Sequence, residues 1–346
     1  MTSSTYNRFA FISLSCLVFA SLLPFRAAAS DWSPLDARDI LGRAQSVTQE
    51  TYPDADEVVL GRQGWVRYEQ DGTSVELFEQ YTKVLTEKGR RDACTLTSSF
   101  TIPYNTTRFV LVEVIGSDGG VRKVDIASNS REMVDPGQIS SNIYNPNDRL
   151  LQVTIPGVSI GDTIHFVIED HFTKARMPGT YSDYITFEGT EPILYARHTI
   201  VAPLALPLAS IAIKNEIPGT VTFLKTHEPD RIVYQWTARD VPQAFEEPEM
   251  PPLYTQAQKV LVSTIADWRE ISRWYWGLAR PQVSSVTPEM RAEVRRIVKG
   301  RRASRPRIEA IFFWVSRNVR YLGITAEAQA PGYEPHPASM TFERRA

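Results

Sequence analysis

The sequence predicts a mainly β protein, an antiparallel β-sandwich region followed by a short α-helical part. From about residue 56 to 240, short runs of apolar and polar residues recur, and Pro, Gly and Asn turns separate them. From residue 267 the apolar positions instead follow the period of a helix. Strands grouped before helices favour packed antiparallel sheets over a sheet that alternates with helices.

Composition allows a large core and excludes several classes of function. The chain has 346 residues, 42% of them hydrophobic, and a formal net charge of −2. This length suggests two or three domains. The balanced charge predicts neither nucleic-acid binding nor a disordered acidic chain. The sequence contains no phosphate loop, dinucleotide fingerprint or zinc-ligand spacing, so we expect no cofactor and no metal.

Residues 1–29 are typical of a signal peptide. Arg8 precedes an apolar run, and small residues before Ser30 suit a signal peptidase. We therefore expect cleavage near Ala29 and export to the periplasm or cell envelope. Two alternatives are an uncleaved membrane anchor, because the run approaches the length that spans a bilayer, and a lipid attached to Cys16.

The next segments are a short amphipathic helix within residues 31–52 and a β-sandwich domain at residues 53–240. The clearest unit of that domain is a hairpin in which residues 109–115 and 121–126 flank a Gly-Ser-Asp-Gly-Gly turn. Asp118 and Gly119 supply the positive φ angles that a tight turn needs. Residues 241–256 are rich in Pro and Glu and are predicted to be an extended connector.

Three helices are predicted in the last segment, residues 257–346, after a short strand. Capping or first-turn residues mark the starts of the first two, Asp267 with Glu270 and Thr287 with Pro288, and the third begins at about Arg305. The third helix is apolar around much of its circumference, which is typical of a helix buried on more than one side. Where no partner covers it, Phe313 and Trp314 would leave apolar surface exposed.

His165, Glu169 and His171 share one face of a predicted strand, which permits a metal site. We favour the simpler interpretation that they are solvent-facing polar residues of a half-exposed strand. Cys94 has basic neighbours that could lower a thiol pKa, but no base lies near it in the sequence. Without Cys16 it has no partner for an intramolecular disulfide, and we interpret it as a partly buried structural residue.

Three further motifs have simple interpretations that we prefer to functional ones. Asn105 fits a glycosylation acceptor, which has meaning only in a cell that glycosylates this way. The acidic run Glu246, Glu247 and Glu249 is expected to be a solvated linker rather than a cation site. A cluster of arginines could form an anionic-envelope or nucleic-acid patch, but we expect the solvated faces of helices: Arg291, Arg295, Arg296, Arg301, Arg302, Arg305 and Arg307.

The order of the segments resembles a bacterial family, in which a domain of unknown function precedes transglutaminase-like domains of cell-envelope proteins. The matching stretches are FVLVEVIGSDGGVRKV, NDRLLQVTIPGVSIGDTIHFVIE, FEGTEPILYARHTIVAP, YQWTARDVPQAFEEPEMPP, VLVSTIADWREISRWYW and IEAIFFWVSRNVRYLGI. They cover nearly all of the mature chain. Each stretch is weakly specific alone, and their order makes the resemblance more specific.

The resemblance implies a β-sandwich of the transglutaminase N-terminal type and the helical start of an α+β papain-like core. In that core a Cys at a helix N-terminus attacks an acyl carbon, a His activates the thiol and an Asp orients the His. The stretch PHPASMTFERRA resembles the approach to the family's cysteine, and no Cys, His or Asp follows it. His336 precedes the nucleophile position and is not assigned as the base. The resemblance therefore implies a truncated core, with no catalytic, cofactor-binding or metal residue to carry over.

Two functional hypotheses follow from the sequence. The first is an exported protein of the transglutaminase-like family that is inactive as written. The second is a non-catalytic binding or scaffolding module whose helical tail docks a partner. For either one we expect a protein or cell-envelope polymer as the partner, no nucleic acid, and membrane contact only through an uncleaved N-terminal segment.

Overall fold

A computed structural model describes residues 31–141, 143–321, 323–324 and 332–345. The chain divides into two units, Met1–Trp32 and Ser33–Ala346, and the helices and strands of the described residues lie in the second. The predicted signal segment, residues 1–29 with Cys16, lies outside the described residues. Among the described residues, no helix is both long enough and apolar enough to cross a membrane.

The described chain is mainly β, as predicted. The strands are β1 (Glu57–Tyr68), β2 (Ser74–Val84), β3 (Thr95–Thr101), β4 (Asn105–Ile115), β5 (Val121–Lys123), β6 (Ser130–Val134), β7 (Ile143–Tyr144), β8 (Asp148–Thr154), β9 (Thr163–Phe172), β10 (Ser182–Thr186), β11 (Ile193–Pro203), β12 (Ser210–Lys214), β13 (Val221–His227), β14 (Arg231–Val241), β15 (Lys259–Ser263) and β16 (Gly323–Ile324). The helices are α1 (Ala37–Ala44), α2 (Glu87–Asp92), α3 (Ile126–Asn129), α4 (Leu253–Gln256), α5 (Trp268–Val283), α6 (Pro288–Ile297), α7 (Ser304–Asn318) and α8 (Ala338–Arg344).

One large sheet organises the β region, with strand order β13-β14-β11-β1-β2-β9-β4-β5. Its pairs are antiparallel except β1 with β11, which run parallel, so the sheet is mixed rather than wholly antiparallel. Two three-stranded sheets, β10-β15-β12 and β3-β8-β6, accompany it, and β16 pairs with β7. Packed sheets of this kind are the sandwich architecture that the sequence predicted.

The small sheets cover one face of the large sheet, and each encloses its own apolar core. One core contains Trp236 and Tyr234 of β14 with Val260 and Val262 of β15. The other packs side chains of β4 and β9 against β8, and Val153 lies at its centre. Because alternate residues of a strand point to opposite faces, the remaining face of the large sheet needs a separate cover.

The N-terminal segment supplies that cover. Ile40 of α1 packs with Leu35, Leu60 and Tyr81 in a third apolar core. The approach is close, because a Cβ atom placed on Gly61 would lie only 2.4 Å from Cδ1 of Ile40. A larger residue at position 61 would therefore push the Ile40 side chain aside where α1 packs on β1.

The helical part begins where the sequence predicted. Asp267 caps α5, and Thr287 caps α6 by accepting a hydrogen bond from the backbone N–H of Met290. Gly300 has a positive φ of 77° after α6. The predicted hairpin is present as β4 and β5. Gly119 in its turn has a φ of 84°, as predicted, whereas Asp118 does not have the predicted positive φ.

In the last segment, residues 257–346, the place of one strand and the exposure of one helix differ from what the sequence pattern predicts. The strand after the connector, β15, pairs with β10 and β12, so the β region continues to Ser263. Helix α7 is exposed on most sides, although its apolar circumference is typical of a buried helix. Trp314 of α7 stacks on Phe342 of α8 at 5.9 Å, whereas Phe313 is 50% exposed, as expected for an uncovered helix. The domain boundaries inferred from the sequence stay predictions.

Candidate functional site

A cleft of about 340 Å³ lies between the β region and α5. Strand β2 contributes Ser74 and Glu76, and β10 contributes Asp183. On the other side, α5 contributes Trp274, and Tyr333 precedes α8. Concave sites that combine aromatic walls with a few polar groups are the usual places for ligand binding.

Two carboxyl groups line this cleft, and the charge of a third, on β9, acts on one of them. Glu76 lies directly opposite Asp170 in the register of β2 and β9. Burial raises the pKa of Glu76 well above its ordinary value, and the charges of Asp183 and Asp170 raise this pKa further. The Ser74 hydroxyl donates to Glu76 at 3.1 Å, which opposes the rise only in part. Within the described part of the chain, none of the three carboxylates has an ion-pair partner.

Asp183 is the second titrating group of the cleft. Burial raises the pKa of its carboxyl to about 6, although two hydrogen bonds work against the shift. These come from the backbone N–H of Tyr184 at 2.7 Å and from the Tyr181 hydroxyl at 3.4 Å. A carboxyl that titrates near neutral pH can donate or accept a proton, and its anion attracts a cation.

Aromatic rings and a cation form the opposite wall. The rings of Trp274 and Tyr333 lie 5.5 Å apart. The Arg176 guanidinium lies over the Tyr104 ring at 4.6 Å and over the Tyr333 ring at 5.9 Å. The cleft therefore presents carboxyl groups on one side and aromatic faces with a positive charge on the other.

Sequence reasoning missed this cleft. Glu76 and Asp183 stand among alternating strand residues, and nothing in that pattern distinguishes them from other polar strand side chains. Only the tertiary structure brings β2, β10 and α5 together. No spacing in the sequence marks them as a group.

The prediction that His165 is a solvent-facing residue of a half-exposed strand is wrong. His165 is 5% exposed and not solvent-facing, because the N-terminal segment covers its face of the sheet. Its Nδ1 lies 2.7 Å from a carboxylate oxygen of Glu113, and its Nε2 lies 3.0 Å from Oε1 of Glu79. Its ring stacks on Tyr81 at 3.8 Å. His165 is thus the centre of a buried polar cluster.

The cluster continues to the N-terminal segment. Oε2 of the fully buried Glu79 accepts hydrogen bonds from the backbone N–H of Leu35 at 2.8 Å and from Nε2 of Gln63 at 2.6 Å. Gln63 in turn donates to the carbonyl of Ser33 at 2.9 Å and accepts from Arg197. Every group is held by protein partners, so the cluster acts as a structural network that joins the N-terminal segment to the sheet.

The other members of the suggested metal triad lie further along β9. Glu169 pairs with Arg108 at 2.6 Å and contacts His171. The described residues contain no group of three or more His, Cys, Asp or Glu that is placed to hold a metal ion.

Cys94 lies beside the second apolar core and is partly buried. Its Sγ donates a hydrogen bond to the carbonyl of Arg90 at 3.1 Å. The described residues place no imidazole against the thiol in any hydrogen bond or ion pair. This setting agrees with the structural interpretation.

The remaining motifs lie apart from the cleft. Asn105 is 7% exposed and accepts a hydrogen bond from the backbone N–H of Thr101 at 2.8 Å, so the asparagine of the glycosylation motif is buried. Glu246, Glu247 and Glu249 are exposed, as expected of a solvated connector, and the seven arginines of the cluster are also exposed.

Comparison with known proteins identifies the family of the β region. The sequence profile of DUF3857, a domain of unknown function with a solved structure, matches residues 70–245. No curated protein matches the chain at a significant level.

Solved structures resemble the fold. A protein of Parabacteroides distasonis ATCC 8503, described as a "putative protease", has a TM-score of 0.66 and 14% identity. The match covers 84% of this chain and 55% of that protein, so the chain spans about half of its length. At this identity the likeness shows a shared fold.

Weaker matches do not establish a shared fold. An M1 zinc metallopeptidase of Deinococcus radiodurans has 12% identity, a TM-score of 0.30 and coverage of 60% and 42% of the two chains. A carbohydrate-binding module from a Clostridium thermocellum scaffoldin has 13% identity, a TM-score of 0.22 and coverage of 35% and 69%.

Proposed function

The chain belongs to the DUF3857 family, and we propose that it is the non-catalytic, β-rich part of an exported transglutaminase-like protein. The fold shared with the Parabacteroides protein supports this, because it covers 84% of the chain, more than the residues matched by the family profile. The likeness therefore extends beyond the β region. The resemblance of the segments around α5 and α7 to the start of a transglutaminase-like core points the same way.

The observation that carries the non-catalytic assignment is the position of Cys94. Thiol catalysis needs a thiolate with a base beside it. The Cys94 thiol instead donates to a helix carbonyl and packs against an apolar core. The other cysteine of the sequence, Cys16, belongs to the predicted signal segment.

A direct assay tests this proposal. The purified chain is incubated with a glutamine-containing acyl donor, a primary amine and peptide substrates, with and without iodoacetamide. We expect no turnover that iodoacetamide removes, while papain gives activity in the peptide assay. Cys94→Ala is the matched variant. Thiol-dependent turnover by the unmodified chain that Cys94→Ala abolishes would overturn the proposal.

A second candidate function is a binding or scaffolding module whose helical part docks a partner. The observation that favours it is the exposure of α7. Ile308 and Phe312 are 66% and 64% exposed, and large apolar side chains at this exposure usually mark an interaction surface.

A further inference from the structure

Helices α6 and α7 carry a strong positive charge. We call residues 287–321 the basic helical surface. This segment contains ten Arg and Lys residues and three Glu residues, a net charge of +7, whereas the whole chain carries −2. The rest of the chain therefore carries −9. All ten cationic side chains are exposed.

Most of this charge is not neutralised locally. Arg296 pairs with Glu293 at 2.5 Å, and Arg305 pairs with Glu309 at 2.9 Å. The other eight cations form no ion pair within the residues that the structure describes. A field of unpaired cations attracts an anionic partner over about 8–10 Å at physiological salt.

Exposed apolar side chains lie among these cations. Ile308, Phe312 and Val315 follow one another along one face of α7 and are 66%, 64% and 44% exposed. Phe313 lies on the neighbouring face, and the Arg317 guanidinium is 5.5 Å from the centre of its ring. Tyr321, just beyond the helix, is 83% exposed.

We propose that the basic helical surface binds an anionic lipid bilayer, with α7 lying in the headgroup region. Exposed arginines would contact lipid phosphates, and Ile308 and Phe312 would insert among the upper acyl carbons. Cations of α6, α7 and the chain around them lie beside the exposed apolar side chains of α7, and a surface that combines exposed cations with apolar side chains can bind an anionic membrane through both. The inference rests on the second function proposed above and names its partner.

The shape of the surface favours lipid over other anionic partners. The apolar residues occupy two faces of α7, and a fluid bilayer can accommodate both without a matching groove. Double-stranded DNA offers the same negative charge, but it accepts Ile and Phe side chains only between base steps that are unstacked at a cost in free energy. The sequence predicts membrane contact only through an uncleaved N-terminal segment, and the exposed side chains of α7 offer a second surface for it.

Vesicle flotation of the full chain tests the proposal. One vesicle contains equal parts phosphatidylglycerol and phosphatidylcholine, and the other contains phosphatidylcholine alone. The apolar N-terminal run can bind either vesicle, so the difference between them isolates the charge-dependent part. We expect stronger binding to the anionic vesicle, weakened by salt.

Two matched sets of variants locate the binding. The triple change Arg301→Gln, Arg302→Gln and Arg307→Gln should weaken anionic binding roughly a hundredfold, at about fivefold for each cation. The control is Arg38→Gln, Lys123→Gln and Lys214→Gln, three exposed cations elsewhere, which should change it little. The apolar change Ile308→Ser with Phe312→Ser should also weaken binding, whereas Val110→Ser with Leu224→Ser should not. Urea unfolding of each variant checks that the fold is intact.

The outcomes separate the lipid partner from the docking function. The lipid proposal is overturned if the wild-type chain binds both vesicles equally. It is also overturned if the arginine variant binds the anionic vesicle as strongly as wild type does. If the chain instead self-associates or binds DNA, does not bind vesicles, and loses that binding in the same variants, the lipid proposal is overturned but a docking role for α7 is kept.

Limited trypsin digestion tests that role itself: cleavage after Arg302 and Arg307 should be fast in the free chain and slow with anionic vesicles. Resistance of the free monomer contradicts both the lipid proposal and the docking function.

Discussion

At the scale of single residues, the polar cluster around Glu79 and His165 is buried because the N-terminal segment covers that face of the large sheet. Both ring nitrogens of His165 face carboxylate oxygens, those of Glu113 and Glu79. The polar face of β9 was visible in the sequence, but the segment that covers it was not. Alternation shows which residues share a face and does not show what packs on that face.

Replacing Glu79 should strongly destabilise the fold. Glu79→Ala leaves Gln63, His165 and the backbone N–H of Leu35 without their acceptor in a buried site, and we expect a loss of about 3 kcal/mol in the free energy of unfolding. Urea denaturation measures the loss. The control Glu87→Ala removes an exposed carboxylate paired with Arg90, where the urea midpoint should stay close to that of wild type. Equal midpoints for Glu79→Ala and wild type would contradict the prediction.

The raised pKa of Asp183 should make stability fall with pH. Folding raises this pKa from 3.8 to about 6, so the folded state binds more protons than the unfolded chain between these values. The stabilisation is complete below about pH 4 and is lost as pH rises to about 6. Asp183→Asn stays neutral, so it should be more stable than wild type at pH 7 and similar to it at low pH.

Urea unfolding at several pH values between 3.5 and 7 measures this difference. Asp71 serves as a control whose pKa is shifted in the opposite direction, because hydrogen bonds from the backbone N–H and hydroxyl of Thr73 lower it. Asp71→Asn should therefore lose stability relative to wild type at pH 7. If wild type and Asp183→Asn show parallel pH profiles, the assignment of this carboxyl is wrong.

At the scale of elements, the starts of the helices could be predicted and the pairing of distant strands could not. Capping residues such as Asp267 and Thr287 act within one turn, so a short stretch of sequence contains the whole signal. The pairing of β1 with β11 and of β15 with β10 depends on contacts between distant segments. The cleft depends on the same contacts, which is why its carboxyl groups were not identified as a site.

The placement of β15 predicts a contrast between two valines. Val262 of β15 is 3% exposed in the core between the large sheet and the β10-β15-β12 sheet, whereas Val294 of α6 is 41% exposed. Val262→Ala should cost about 2 kcal/mol, since it removes buried methyl groups and leaves a cavity. Val294→Ala should change stability by less than about 0.5 kcal/mol. Similar urea midpoints for the two variants would contradict the position of β15 in the core.

At the scale of the whole molecule, the folded unit is larger than the family match. Residues 70–245 match the DUF3857 profile, yet β1 and β15 both lie outside that range and belong to the packed sheets. The N-terminal segment, through Leu35 and Ile40, closes the last open face. These segments should therefore be kept together whenever the β region is produced.

The proposed export gives a prediction for the complete chain. Expressed in a Gram-negative host, the protein should appear in the periplasmic fraction with the intact mass of a chain that begins at Ser30. Replacing Ala29 and Ala27 by Asp should block processing, because signal peptidases require small residues near the cleavage site. Ala37→Asp is a control in the mature chain and should be processed normally. A cytoplasmic wild-type protein of full-length mass would contradict the export proposal.

The parallel pair of β1 and β11 also has a kinetic consequence. Residues joined across it, such as Gln63 and Arg197, are 134 positions apart in the chain. At ~5–20 residues per second, a ribosome needs roughly 7–27 s to make the chain between them. During that interval β1 has β2 on one side and an open edge on the other. Pairing over such a distance slows folding, so the last step of assembly should be the capture of that edge by β11 rather than the closing of any hairpin.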